Sequence, residues 1–150
     1  MTDDDVHSIA AQFISYWEGF ASKAYWDVNH YRVGFGSDTE GPDQVNVTKN
    51  TTTTRDRAIQ NLTARIPQYE SVAAKQLGDL YDKLGVATKV AIIDICYNYG
   101  SLPDGILAAF LTNPVRVAQA IRMHESDNKA VNRDRRAAEA GLVIFDGGQI

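Results

Sequence analysis

The sequence predicts a mostly helical α+β domain, and three observations carry that reading. Apolar residues recur at helical spacing near the N-terminus and again over most of the chain after Thr54. Between them, residues 24–39 are rich in aromatic and β-branched residues punctuated by glycine, a composition that favours a hairpin. The segment Val86–Tyr99 is apolar nearly all round, as a buried central helix is. The plan is one helix, one small β element, then a helical bundle, within 150 residues that read as a single domain.

Each element follows from its own pattern. Val6, Ile9, Ala10, Phe13, Ile14 and Trp17 line one face, which predicts a helix over residues 5 to about 18, stopped by Gly19 in a left-handed C-cap. In the β region, Asn29-His30 is placed at the turn, and Gly34 and Gly36 flank Phe35 where a backbone or ligand can come close. Residues 40–54 lack periodicity and read as a surface loop. Thr54 caps a helix from Arg55 to Ile66, which Pro67 is expected to kink or interrupt before helix resumes toward Gly85. After the central helix, shorter helices are expected at Ile106–Leu111, at Val115–Glu125 behind Asn113-Pro114, and at Arg133–Phe145.

Composition excludes several classes of function. Hydrophobic content of 44% and charged content of 23% are those of a soluble globular protein, and no apolar run approaches the ~20 residues of a membrane span. The acidic start Met1-Thr2-Asp3-Asp4-Asp5 is unlike a secretory signal. A net charge of −4 argues against nucleic acid or an anionic membrane as partner. The clusters Arg116/Arg122 and Arg133/Arg135/Arg136 read as solvated helix faces. The lone Cys96, between Ile95 and Tyr97 in the most apolar helix, reads as a buried structural residue rather than a nucleophile. His7, His30 and His124 stand far apart with no metal-ligand spacing, so a zinc site is not expected, and no organic cofactor is implied.

Two carboxylates carry the candidate chemistry. A carboxylic acid that donates a proton near neutral pH needs an apolar, poorly solvated setting. Glu18 sits at a helix end beside Trp17 and Phe20, where such a setting arises, although an ordinary exposed helix-end glutamate has the same sequence address. Asp27, nine residues on and inside the aromatic stretch, either faces Glu18 across a groove or caps a turn. Two carboxyl groups facing a sugar ring are the minimum equipment for glycoside hydrolysis.

Glu18-Gly19, Tyr25, Asp27, Tyr31 and Gly34-Phe35-Gly36 together resemble the active-site stretch of the T-even type phage lysozymes of glycoside hydrolase family 24. The resemblance continues through Ala91–Gly100, similar to the family's central helix, and through Asn132-Arg133 to Phe145, similar to its closing Arg-rich helix. It implies a single lysozyme-like catalytic domain. A small N-terminal lobe of about 15–60 would be joined by a long helix to a helical lobe of about 75–150 plus residues 1–14, with sugar bound in the cleft between.

The implied reaction is cleavage of the β-1,4 bond between N-acetylmuramic acid and N-acetylglucosamine in peptidoglycan. Position by position, the resemblance makes Glu18 the proton donor and Asp27 the second catalytic acid. Tyr25 and Asn98 become cleft residues, and Arg133 the arginine that pairs with the catalytic glutamate.

The chain departs from the pattern where the family has a threonine that holds the attacking water: here that position is Arg32, in a hairpin one residue shorter, and the usual histidine after the second glycine is Ser37. A guanidinium only donates, so Ser37, Asp38 and Thr39 are the candidates to position water, while a cation near Asp27 would keep that carboxylate ionised. Inverting enzymes hold their carboxyl groups about 6.5–9.5 Å apart and retaining ones about 5–5.5 Å; the resemblance leans to inversion. The rival from another class is an inactive lysozyme-like domain that binds cell wall or builds a virion or secretion machine. The resemblance further implies a monomer made in the host bacterial cytoplasm, reaching the wall after a holin permeabilises the membrane.

Overall fold

The computed structural model describes residues 2–147 and bears out the α+β class. The chain divides into two compact units, one formed by His7–Pro67 and the other by the residues up to Val6 together with those from Gln68 onward.

Helix α1 (Asp3–Trp17) begins two residues earlier than its apolar periodicity suggests, because Thr2 and Asp5 cap it reciprocally. The Thr2 amide donates to Asp5 Oδ2 at 2.8 Å and the Asp5 amide to Thr2 Oγ1 at 3.3 Å. Asp3, Asp4 and Asp5 in the first turn complement the helix dipole. At the other end Gly19 is not in the left-handed region, contrary to the expected glycine cap.

In the His7–Pro67 unit, β1 (Ala21–Asp27) and β2 (His30–Gly34) form an antiparallel hairpin. Tyr25 pairs with Arg32, Trp26 with Tyr31 and Asp27 with His30, so the turn is Val28-Asn29, one residue before the expected position. The segment expected to be a featureless loop holds a second small ladder, β3 (Thr39–Glu40) with β4 (Val45–Asn46). Its end also lies along β1, with the Ala24 amide donating to Thr51 O and the Thr53 amide to Ser22 O, both at 2.9 Å. Two-residue strands leave no periodic signal, which is why composition alone reads them as loop.

Helix α2 (Arg55–Leu77) contains Pro67 without ending there. A proline in a helix interior removes one N–H and crowds the carbonyl four residues back, at a cost of ~3 kcal/mol. Burial on both sides offsets it: Ala58, Leu62 and Ile66 before the proline and Ala73 and Leu77 after it are all buried.

The second unit adds the 3-10 turn Gly78–Lys83, α3 (Val86–Tyr99), α4 (Asp104–Thr112), the 3-10 turn Pro114–Arg116 and α5 (Val117–Arg122). It closes with the one-turn α6 (Asp127–Ala130), whose last three residues are left-handed, and α7 (Arg133–Phe145). The helix expected over Val115–Glu125 is thus divided, its first turn tightened behind Pro114. Ala91, Ile92, Ile95 and Cys96 of α3 form the centre of the core with Leu102, Ile106, Ile121 and Val143. Burial pushes the Cys96 thiol up to about 12, which fits a structural residue. Gly100, at φ 89, ends α3 and donates its amide to Cys96 O at 2.8 Å.

The Arg-rich last helix corrects the reading of a solvated basic face. Arg135 and Arg136 are 2% and 0% exposed, and only Arg133 of the three is exposed. Arg135 donates to both oxygens of the fully buried Asp94, at 2.9 and 2.5 Å. Arg136 donates to Glu139 Oε1 at 2.6 Å, to Asn98 Oδ1 at 3.1 Å, and lies 5.0 Å from the centre of the Tyr99 ring. A buried guanidinium demands such partners, and apart from Glu139 on α7 itself they stand on α3, some forty residues away in sequence.

Candidate active site

Glu18 is the first residue past α1, half-buried, its amide still donating to Ile14 O at 3.2 Å. It follows an aromatic cluster in which Trp17 meets Tyr16 edge-on at 4.8 Å and Phe13 at 6.2 Å. Beyond it Phe20 packs on Phe35 at 5.5 Å, and the Arg55 guanidinium lies over both rings. Aromatic residues thus flank Glu18 in the chain on both sides.

In an antiparallel pair, residues directly opposite share a face and the face alternates along the strand. The register therefore puts Tyr25, Asp27, His30 and Arg32 on one face of the hairpin and the edge-packed pair Trp26 and Tyr31 on the other. Arg32 is the hub of the first face. Its Nε donates to Asp27 Oδ2 at 2.6 Å, its Nη1 to Gly36 O at 3.0 Å, and its Nη2 faces His30 Nε2 at 2.9 Å. Pair and hub are part-exposed, so the ion pair serves placement more than stability.

The loop that Arg32 latches is fixed by its own backbone. Val33 and Ser37 exchange amide hydrogen bonds at 2.9 and 3.0 Å, which forces the intervening chain to turn tightly. Gly34 and Gly36 take left-handed conformations, and the Tyr25 hydroxyl lies 3.9 Å from where a Cβ on Gly36 would stand.

Of the candidate water-positioning residues, Ser37 and Thr39 belong to a second polar cluster held by α2. Ser37 Oγ, buried, accepts from Arg65 Nη1 at 2.8 Å and from the Thr39 amide at 3.1 Å, and Thr39 Oγ1 accepts from Asn61 Nδ2 at 3.0 Å. Next to them Arg57 holds Glu40 through both oxygens, at 2.6 and 3.0 Å, and Thr53 donates to it at 2.9 Å. The Arg57 hydrogen bond, followed against burial by that from Thr53, holds the Glu40 carboxyl below its usual range. The cluster encloses a cavity of about 10 Å³ lined by Ser37, Thr39, Glu40, Thr53 and Asn61, room for about one water. Asp38 is exposed.

Asn98 and Arg133 lie in the other unit, Asn98 exposed at the end of α3 and Arg133 exposed at the start of α7. Sequence reasoning missed two sets of residues. His30 was read as a turn residue; with the turn one position earlier, its place opposite Asp27 and two residues from Arg32 would have put it on the same face. The Asp94, Arg135, Arg136 and Glu139 network has no local signal, because its members meet only through packing of α3 on α7. Among the described residues, no three His, Cys, Asp or Glu side chains group as metal ligands, and no helix is long and apolar enough to cross a membrane.

Solved structures place the fold. The chain is similar to the endolysin from Escherichia coli O157:H7 phage FAHEc1, at 19% identity and a TM-score of 0.70, with 94% of this chain and 93% of that one covered. It is similar to a mutant of P22 lysozyme at 20% identity and a TM-score of 0.70, over 91% of this chain and 95% of that one. A third is the muramidase domain of SpmX from Asticaccaulis excentricus, at 18% identity and a TM-score of 0.64, over 89% and 93%. No curated protein sequence matches. The expected lysozyme-like fold is thus borne out. The phage lysozyme family model matches residues 15–139, a span that includes Glu18, the whole hairpin and α3, and the chain belongs to the phage lysozyme family.

Proposed function

We propose that this protein is a muramidase that lyses bacteria by cleaving the β-1,4 bond between N-acetylmuramic acid and N-acetylglucosamine in peptidoglycan. The observation that carries the reading is the grip of Arg32 on Asp27, on the hairpin that follows the helix-end acid Glu18. Glu18 supplies the proton to the leaving sugar oxygen, and Asp27 acts as base or as electrostatic stabiliser of the oxocarbenium-like transition state. Oδ2 of Asp27 is engaged by Arg32, so water activation falls to the other oxygen, Oδ1. Tyr25, on the same hairpin face, and Asn98 and Arg133 complete the substrate contacts and catalytic support. The protein works as a monomer, without a cofactor, after synthesis in the host cytoplasm and release by a holin.

Turbidity loss of purified peptidoglycan tests the reading. The wild type clears the suspension, and Glu18→Gln, which keeps the shape and removes the proton donor, is slower by roughly 10²- to 10⁴-fold. One observation favours a second reading, a wall-binding domain without activity: a donor-only arginine stands where the family holds water. Sacculi that bind the wild type and Glu18→Gln equally, with no clearing by either, would establish that reading instead.

A further inference from the structure

His30 Nε2 lies 2.9 Å from Arg32 Nη2. A guanidinium donates and never accepts, so the ring nitrogen facing it must be the acceptor, and the single proton of the neutral imidazole then sits on Nδ1. Arg32 is accordingly held by three acceptors: the Asp27 carboxylate through Nε, the Gly36 carbonyl through Nη1 and the His30 ring through Nη2. Asp27 and His30 are direct cross-strand partners, so the hairpin register itself brings both to the guanidinium.

We propose that His30 is a positioning residue for the hydrolysis proposed above, holding the Arg32 guanidinium, and through it the Asp27 carboxylate, for as long as its ring is neutral. The proposal rests on the muramidase reading for its consequence in turnover, though not for its geometry. A ring that takes a second proton has no lone pair left to accept and sets one cation 2.9 Å from another. Asp27 is the cross-strand partner of His30, and Tyr25 and Arg32 share its face of the hairpin.

Four proteins compared on purified peptidoglycan at neutral pH test this: wild type, His30→Ala, His30→Gln and Arg32→Ala, together with the His30→Ala/Arg32→Ala double variant. His30→Ala is expected to lower kcat about five-fold at neutral pH, the effect of one lost hydrogen bond, with KM little changed. In the Arg32→Ala background the same change is expected to do nothing further, because His30 acts through Arg32. His30→Gln, which keeps an acceptor, is expected to restore the rate that His30→Ala loses. Equal losses from His30→Ala in both backgrounds, or no loss in either, would overturn the proposal.

A readout independent of turnover separates its failure from failure of the muramidase reading. In proton–nitrogen NMR spectra the Arg32 Nε–H signal is expected to be slow to exchange in the wild type and to be lost by exchange in His30→Ala but not in His30→Gln. If wild type and Glu18→Gln are equally inactive while this pattern holds, the muramidase reading fails and the positioning by His30 stands. If the signal is unaffected by His30→Ala, the positioning fails whatever the activity.

Discussion

Arg32 Nε donates to Asp27 Oδ2 at 2.6 Å across the diagonal of the β1–β2 ladder, two positions from its direct partner Tyr25. The side chain that stands where the resemblance expects a hydroxyl therefore grips Asp27, the carboxylate proposed as the second catalytic acid. It also reaches Gly36 O, tying the carboxylate to the glycine loop.

The first prediction follows from that reach. Arg32→Thr restores the residue type expected of the family, but in a hairpin one residue shorter a threonine cannot touch Asp27 and Gly36 together. Clearing of peptidoglycan is expected to fall roughly 10- to 100-fold, the scale of a misplaced catalytic group. Since the pair is part-exposed, unfolding free energy should change by less than about 1 kcal/mol. A variant that clears at the wild-type rate or faster would show that the grip is incidental.

How much of this was legible beforehand depends on whether a feature is periodic or non-local. Helix α3 and helix α7 were readable to the residue, because Val86–Tyr99 and Arg133–Phe145 end at glycine and at the close of an apolar pattern. The helix end at Glu18 was readable from periodicity, and the hairpin that carries Asp27 from composition. The partner of Arg32 was open, since it depends on register, and the turn at Val28-Asn29 uses a valine in a conformation that propensity argues against. The burial of Arg135 and Arg136 was misread because charge runs usually face water, and nothing in the local sequence announces Asp94 as their counter-ion.

That buried network sets a pH prediction. Glu139 is fully buried, with Oε1 on Arg136 and Oε2 without a hydrogen-bond partner. Burial first, and then the neighbouring Asp94 carboxylate, push its titration far above the ordinary carboxylate range, against the pull of Arg136 and Arg135. Folded Glu139 keeps a proton that the unfolded chain releases. With a raised folded value, its contribution is full below the ordinary value of 4.5 and is lost progressively as pH rises toward the folded one. Urea unfolding from about pH 5 to about pH 9 should show wild-type stability declining relative to Glu139→Gln, whose amide is neutral throughout. A constant difference between the two across that range would contradict the protonated state.

Asp94→Ala tests the same cluster from the other side. Its carboxylate takes both hydrogen bonds from Arg135 and lies 3.9 Å from Arg136. Removing it strands buried positive charge, expected to cost about 3–5 kcal/mol. The loss is read as a drop in urea midpoint, and one below about 1 kcal/mol, the scale of an exposed pair, would mean that the guanidinium groups find water instead.

Gly34→Ala probes the loop that Arg32 latches. At φ +66 a side chain is strained, and a Cβ there would stand 3.0 Å from Ala58 Cβ on α2. The conformational cost is about 1–2 kcal/mol, and the contact with a helix that cannot easily yield adds to it. Denaturant midpoints should fall accordingly, with clearing activity reduced more than stability if the loop carbonyl of Gly36 matters to Arg32. Unchanged stability would mean that the loop relaxes to an ordinary turn.

Val28 offers the opposite sign. Its side chain is 87% exposed and so gains nothing from packing, yet its backbone sits at φ 56, where a β-branched residue is disfavoured. The Asn29 amide, donating to Asp27 O at 2.6 Å, holds the chain in that turn, and strain of this kind is kept where neighbours over-determine the backbone. Asparagine tolerates the left-handed region, so Val28→Asn should stabilise the protein by about 1 kcal/mol, read as a higher thermal midpoint. If the hairpin needs that strain to bring Asp27 and His30 to Arg32, the relieved variant should also show weaker protection of the Arg32 Nε–H from exchange. A lower midpoint would place the constraint in the side chain rather than in the backbone.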